Sequence, residues 1–207
     1  MNTEPTVKDV LSAEHLREAS AFGEVLRYAV HEKVLPANLR VRASASCFGI
    51  ACDHHDATIL LLKSGLNAPC FALLRVTYEA YVRGQWLMNC ATDRQIDDFL
   101  NGAEPPKIKA MLEALSSYAE VANEPLEQIH RFNWSALNGY THTGGIHVQR
   151  WNTATSIEAH YSGEELLEVL RFSEIFATLA AAGVLQLADD LTAAARVLEG
   201  FQGRGAK

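Results

Sequence analysis

Arg75, Glu79 and Arg83 recur at every fourth residue of the stretch FALLRVTYEAYVRGQWL, residues 71–87. At 100° per residue they fall within an arc of about 80° on one face of a helix. Val82 and Trp86 lie in or beside that arc, and the opposite side (Leu73, Thr77, Ala80, Gly84, Met88) carries no charge. Such a line supports two kinds of chemistry. On a solvent face it makes two i,i+4 ion pairs worth a few tenths of a kcal/mol each. Facing a polar cleft inside a bundle, Glu79 orients Arg75, and Arg75 holds the anionic group of a ligand. Desolvating an unpaired guanidinium costs several kcal/mol, so an inward Arg75 must pair or bind. The absence of lysine and the bulk of Phe71, Leu74, Tyr78, Tyr81 and Leu87 speak for the inward face, since surface helices carry broader polar stripes.

Two other clusters have suitable side chains. DHHD at 53–56 places Asp53 and Asp56 on one face of a helix with His54 and His55 beside them, in line with Arg42, Ser46 and Lys63. Carboxylates next to imidazoles bind metal or set a histidine tautomer. NGYTHTGG at 138–145 puts Tyr140, Thr141 and His142 at the end of a helix, just before two glycines that permit close backbone approach. His142 there is suited to act as acid, base or hydrogen-bond donor. EQIH at 127–130 has the Glu-x-x-His spacing of carboxylate-bridged di-iron bundles, but the chain holds no second copy, so no metal site is assigned. Phosphate-binding loops, nucleophile elbows, zinc-type Cys/His spacings and dinucleotide fingerprints are all missing from the sequence. No cofactor is expected.

These residues have to be positioned by helices, because helical period dominates the chain and strand alternation is nearly absent. Thr6 and Asp9 form a capping-box pattern ahead of the first apolar stripe. Asn38 caps a second helix that runs to Gly65, and Pro69 suits the first turn of a third over 70–90. Thr92 opens a short fourth helix, and KIKAMLEALSSYAE follows the break at Pro105–Pro106. Asn123 and Pro125 begin the helix that stops at Gly144–Gly145. IHVQRWNTATS reads as a loop. Ser162 with Glu165 caps a long apolar helix, and a last helix over 190–200 leaves a frayed tail from about 201. The expectation is an all-α, single-domain bundle spanning 1–207, of about seven helices with mostly antiparallel neighbours.

The 207 residues are 48% hydrophobic, enough for one substantial core. The net charge of −7 counts against non-specific nucleic-acid binding, without excluding a local basic pocket. The N-terminal residues are polar and carry no signal-type apolar run, and 175–188 is too short and small-residue-rich to span a bilayer. Cys47, Cys52, Cys70 and Cys90 form no C-x-x-C pair and read as free thiols of a reducing compartment. A cytoplasmic protein with no membrane partner is expected.

The segments DHHDATILLLKSGLNAPCFALLRVTYEAYVRGQWL, EPPKI and YTHTGGIHVQRWN resemble an uncharacterised family of bacterial all-helical proteins of about this length. More distantly the layout is similar to HEPN-like helical bundles. That resemblance implies a dimer and, for some members, metal-independent RNA cleavage by a nearby arginine and histidine, in toxin or phage-defence systems. The HEPN motif is R-x4-6-H, and no arginine here has a histidine at that spacing; Arg27 and His31 come one residue short. The arginine would have to be Arg75 or Arg83, opposite His142.

Three functions follow as expectations. The first is a polar cleft for a small anionic ligand, with His142, Arg75 and Glu79 as the working groups and Asp53, His54, His55, Arg83 and Tyr140 lining it. The second is an RNA-cleaving enzyme of the HEPN kind. The third is a structural or adaptor bundle in which the polar groups hold helices in register. A homodimer is expected on the general prevalence of symmetric pairs.

Overall fold

The computed structural model describes residues 10–118 and 124–205. The Thr6–Asp9 capping pattern and Asn123 lie outside the described residues. Nine helices form among the described residues, in the order α1 (Ala13–Val30), α2 (Leu39–Lys63), α3 (Asn67–Asn89), α4 (Asp93–Leu100), α5 (Ile108–Ser116), α6 (Glu124–Thr141), α7 (Gly145–Gln149), α8 (Gly163–Leu187) and α9 (Leu191–Gly205). The protein is thus all-α, but with more than the seven helices expected. The five-residue α7 stands in the segment read as a loop, because a helix that short has no period to detect. The terminal helix, expected over 190–200, also extends to Gly205. Phe201 packs on Phe22 at 6.3 Å and Arg204 bonds Glu174 at 2.8 Å, which ties that end to α1 and α8. None of the described helices is long and apolar enough to cross a membrane.

Local chemistry starts three of the helices where the sequence says it should. The Asn38 side chain accepts from the Val41 amide, and Thr92–Gln95 and Ser162–Glu165 form reciprocal capping boxes. Ser12 does the same for α1, with His15 in the position usually held by Glu or Gln. All four cysteines are free thiols.

Helices α2, α3 and α8 pack mutually to form the centre. Helices α2 and α3 run antiparallel: Arg40 donates to the Leu87 carbonyl near one end, and the Cys70 thiol to the Thr58 carbonyl near the other. The fully buried ring of Phe48 on α2 is wedged between Gly84 of α3 and Gly183 of α8. Helix α6 also lies antiparallel to α3. The Tyr78 hydroxyl donates to the Leu126 carbonyl, and that of Thr141 to the Ala72 carbonyl. This α3–α6 pairing positions the charged line.

Candidate functional site

Helix α3 turns Arg75, Glu79 and Arg83 toward α6 rather than toward bulk water; their side chains are only 20%, 17% and 25% exposed. Arg75 Nε donates to Glu79 Oε1 at 2.7 Å. Its Nη1 donates to Asn138 Oδ1 at 2.5 Å and lies 2.5 Å from His142 Nε2. The guanidinium carbon sits 4.8 Å from the centre of the Trp134 ring, within cation–π range. An arginine can only donate, so this contact requires Nε2 of His142 to accept and the ring proton to sit on Nδ1. Arg75 is therefore engaged through both Nε and Nη1. Arg83 is not: its Nη2 is 3.9 Å from Glu79 Oε2, and its buried Nε has no hydrogen-bond partner among the described residues.

The α6 side of the contact is a second line with the same four-residue spacing: His130, Trp134, Asn138 and His142. Two antiparallel helices bearing residues at i, i+4 and i+8 present matching stripes along their seam. The His130 and Trp134 rings lie 4.6 Å apart, and the buried Nδ1 of His130 has no partner among the described residues. Burial pushes the His130 pKa down, and Lys109 adds to the shift.

Between the two stripes and the EPPKI segment opens a cavity of about 650 Å³. Its walls carry Arg75, Arg83, Lys107 and Lys109 against the carboxylates of Glu79 and Glu104, with His130 and Trp134 on the α6 side. Four cations face two carboxylates on a chain whose net charge is −7. Lys107 is also the N-cap of α5 and offers no side-chain cap, so the first amides of that helix keep their positive end near the same wall.

The other residues singled out from the sequence go elsewhere. Asp53 is exposed, and His54 is half-buried with its pKa lowered by burial despite Asp53 beside it. His55 is buried against α8, where Nδ1 lies 2.9 Å from the Ser173 hydroxyl. Asp56 pairs with Arg27 of α1. None of this DHHD group walls the cavity. Tyr140 faces the core: its ring is 4.8 Å from that of Phe71, and its carbonyl bonds His147 Nδ1 at 2.7 Å. His142 is exposed and touches Arg75, but is not one of the cavity's walls. Among the described residues no three His, Cys, Asp or Glu side chains converge as metal ligands.

Sequence reasoning missed Trp134, Asn138, Lys107 and Lys109, and read His130 only as half of a di-iron motif. The repeat at 130, 134, 138 and 142 was the signal that could have found the α6 residues.

Gly144, in the turn after His142, serves the backbone. The Gly144 amide donates to the Gly139 carbonyl at 2.7 Å, and Thr143 between them takes a left-handed φ of 54°. A Cβ on Gly144 would lie 2.9 Å from the Gly139 Cα, and one on Gly139 would lie 2.6 Å from Ile146 Cγ2. The turn therefore folds flat onto α6 and holds His142 over Arg75. Gly144→Ala is expected to lift it, at a cost of about 1–3 kcal/mol. Thermal unfolding reads the loss, and the His142 ring resonances should shift to those of a ring free of Arg75. Unchanged resonances would show that another contact holds the ring.

Residues 48–202, more than half of the chain, match a family of unknown function. No curated protein and no solved structure is similar enough to the chain to count as a match. The matched span runs from Phe48 in α2 to near the end of α9, so it includes both stripes, the EPPKI segment and the glycine turn. The chain belongs to DUF6988, the family of unknown function.

Proposed function

We propose that the cavity between α3, α5 and α6 binds a small anionic ligand, with Arg83 as its anchor. The observation that carries this reading is the Arg83 guanidinium, whose buried Nε lacks a partner among the described residues and whose nearest carboxylate stands at 3.9 Å. A half-buried cation left this poorly matched gains from an oxyanion that makes charge-assisted hydrogen bonds with it. Lys107, Lys109 and the open end of α5 add to the positive field. In this reading Glu79, which accepts from Arg75 Nε at 2.7 Å, orients Arg75, and Arg75 and Trp134 together form one wall. The reading takes the chain as one cytoplasmic domain.

Calorimetric titration with inorganic phosphate tests it. Binding should weaken with salt, and Arg83→Gln should reduce affinity at least tenfold, with Arg83→Lys between the two. Equal affinity in wild type and Arg83→Gln, or no binding of phosphate at millimolar concentration, would remove the proposal.

One contact favours a second reading, metal-independent RNA cleavage of the HEPN kind. Arg75 Nη1 stands 2.5 Å from His142 Nε2, which supplies from two helices the pair that the R-x4-6-H motif supplies from one. RNA cleavage in the presence of a chelator, abolished by His142→Ala, would support it. Its absence leaves the Arg75 network with the role of holding α3 and α6 in register.

A further inference from the structure

Helix α1 carries a glycine in its middle, Gly23, where it weakens the helix relative to alanine. Packing alone does not require it. A Cβ there would meet Asp56 Oδ1 at 3.3 Å and His55 Nε2 at 3.9 Å, close contacts but not overlaps, and the Asp56 side chain is 29% exposed and can give way. What the glycine leaves is a cavity of about 30 Å³ where α1, α2 and α8 meet. Its walls include Gly23, Leu26 and Arg27 of α1, His55 and Asp56 of α2 and Ala177 of α8. That volume is about the share of one water molecule in the liquid.

The hydrogen bonds around His55 define what the cavity must supply. The Ser173 hydroxyl has a single hydrogen and donates it to the Leu170 carbonyl at 2.9 Å. Its oxygen therefore accepts from His55 Nδ1, 2.9 Å away, and the proton of the neutral ring sits on Nδ1. That leaves Nε2 a lone pair. His55 is 1% exposed, and its Nε2 is buried with no partner among the described residues. A buried acceptor without a donor is costly. Asp56 accepts from Arg27 Nη1 through Oδ2, and Oδ1 is the atom nearest the position of a Gly23 Cβ. Nε2 and Oδ1 thus flank the same point, and both are acceptors.

We infer that this cavity is a binding site for one water molecule, which donates one hydrogen to His55 Nε2 and the other to Asp56 Oδ1. Arg27 walls the same space and has more N–H groups than those it commits to Asp56 and Glu24, so it can donate to the water's oxygen. About three polar partners are usual for a buried water. Among the described residues no third ligand joins His55 and Asp56 to hold a metal. Held in this way the water offers Nε2 a hydrogen and not a lone pair, so it serves the neutral ring alone. It ties α1 to α2 beside the point where His55 ties α2 to α8. It also accounts for the glycine: an alanine methyl would take the water's place and offer nothing to Nε2.

A high-resolution crystal structure and two variants of the full chain test this. Density for one ordered water should stand about 2.7–3.2 Å from His55 Nε2 in the wild type and be gone in Gly23→Ala. Its absence from the wild type, or its persistence in Gly23→Ala, would overturn the site. Melting temperatures test the bond. Serine is a poorer helix former than alanine, so propensity ranks Gly23→Ala above Gly23→Ser. The serine hydroxyl can donate to Nε2 in the water's stead, so Gly23→Ser should instead melt above Gly23→Ala by about 2–4 °C. Alanine melting at or above serine would show that Nε2 gains nothing from a donor, and would overturn the role given to the water. The wild-type density decides the site even if neither variant folds.

Discussion

Replacing Gly84 with alanine is expected to destabilise the fold by about 2 kcal/mol, which lowers the melting temperature by roughly 4–8 °C for a chain of this size. Alanine is the better helix former by about 1 kcal/mol, so propensity alone predicts a gain. Packing reverses the sign. A Cβ at position 84 would lie 2.5 Å from Phe48 Cε1 and 2.7 Å from Cδ1. The ring cannot retreat, because a Cβ at position 183 on the other side would already lie 2.7 Å from Cε2 and 2.9 Å from Cζ. Tyr81, at 5.9 Å between ring centres, covers part of the remaining space. Gly183→Ala should behave alike. The decisive measurement is a double-mutant cycle by urea unfolding. Phe48→Leu is destabilising alone, but combined with Gly84→Ala it should cost less than the two singly added, because the smaller side chain admits the new methyl. Strict additivity, or a stabilising Gly84→Ala, would mean that the ring has another place to go.

Those glycines show where a single sequence stops being informative. Asn38, Thr92 and Ser162 act within one turn of their own positions, so their capping roles could be read directly. The charged face of α3 could also be read, because the i,i+4 spacing of Arg75, Glu79 and Arg83 is a property of one helix. Whether that face met water or protein depended on its partner, and the partner stripe lies on α6, far along the chain. DHHD is dispersed for the complementary reason. Helix α2 is central and packs on both α3 and α8, so its polar residues look in different directions. His55 meets Ser173 of α8, Asp56 meets Arg27 of α1, and Asp53 meets solvent. Sharing a tetrapeptide gave these side chains no common destination. Tyr140 likewise stands two residues from His142 but points to the core, because 200° of helix separates the two. Of the two glycines of the YTHTGG turn, read as places of close backbone approach, only Gly144 makes one, to Gly139, while a Cβ on Gly145 would meet open space.

His55 yields the second large effect, in the pH dependence of stability. Its ring is buried, with Nδ1 held at Ser173 and Nε2 buried without a partner among the described residues. Burial pushes its pKa from 6.5 down to about 4; Asp56 resists the shift, and Arg204 and Arg27 add to it. Between those two values the unfolded chain binds a proton that the folded chain refuses. Stability therefore falls as pH is lowered from 6.5 to 4, and this contribution levels off below 4, where both states carry the proton. The difference corresponds to about 3 kcal/mol. Urea midpoints across that window should drop accordingly in the wild type. His55→Asn keeps an N–H near the position of Nδ1 and cannot titrate, so it should start less stable at neutral pH and show a much flatter profile. The residual slope then reflects opposing groups: burial lowers the pKa of His54 and His130, but it raises that of Glu174, whose folded form takes up a proton as pH falls and offsets part of the loss. A wild-type midpoint that is constant from pH 6.5 to 4 would mean that His55 takes up its proton without leaving the folded state. The small cavity of about 30 Å³ beside Gly23 and Asp56 would then have to admit a partner for Nε2.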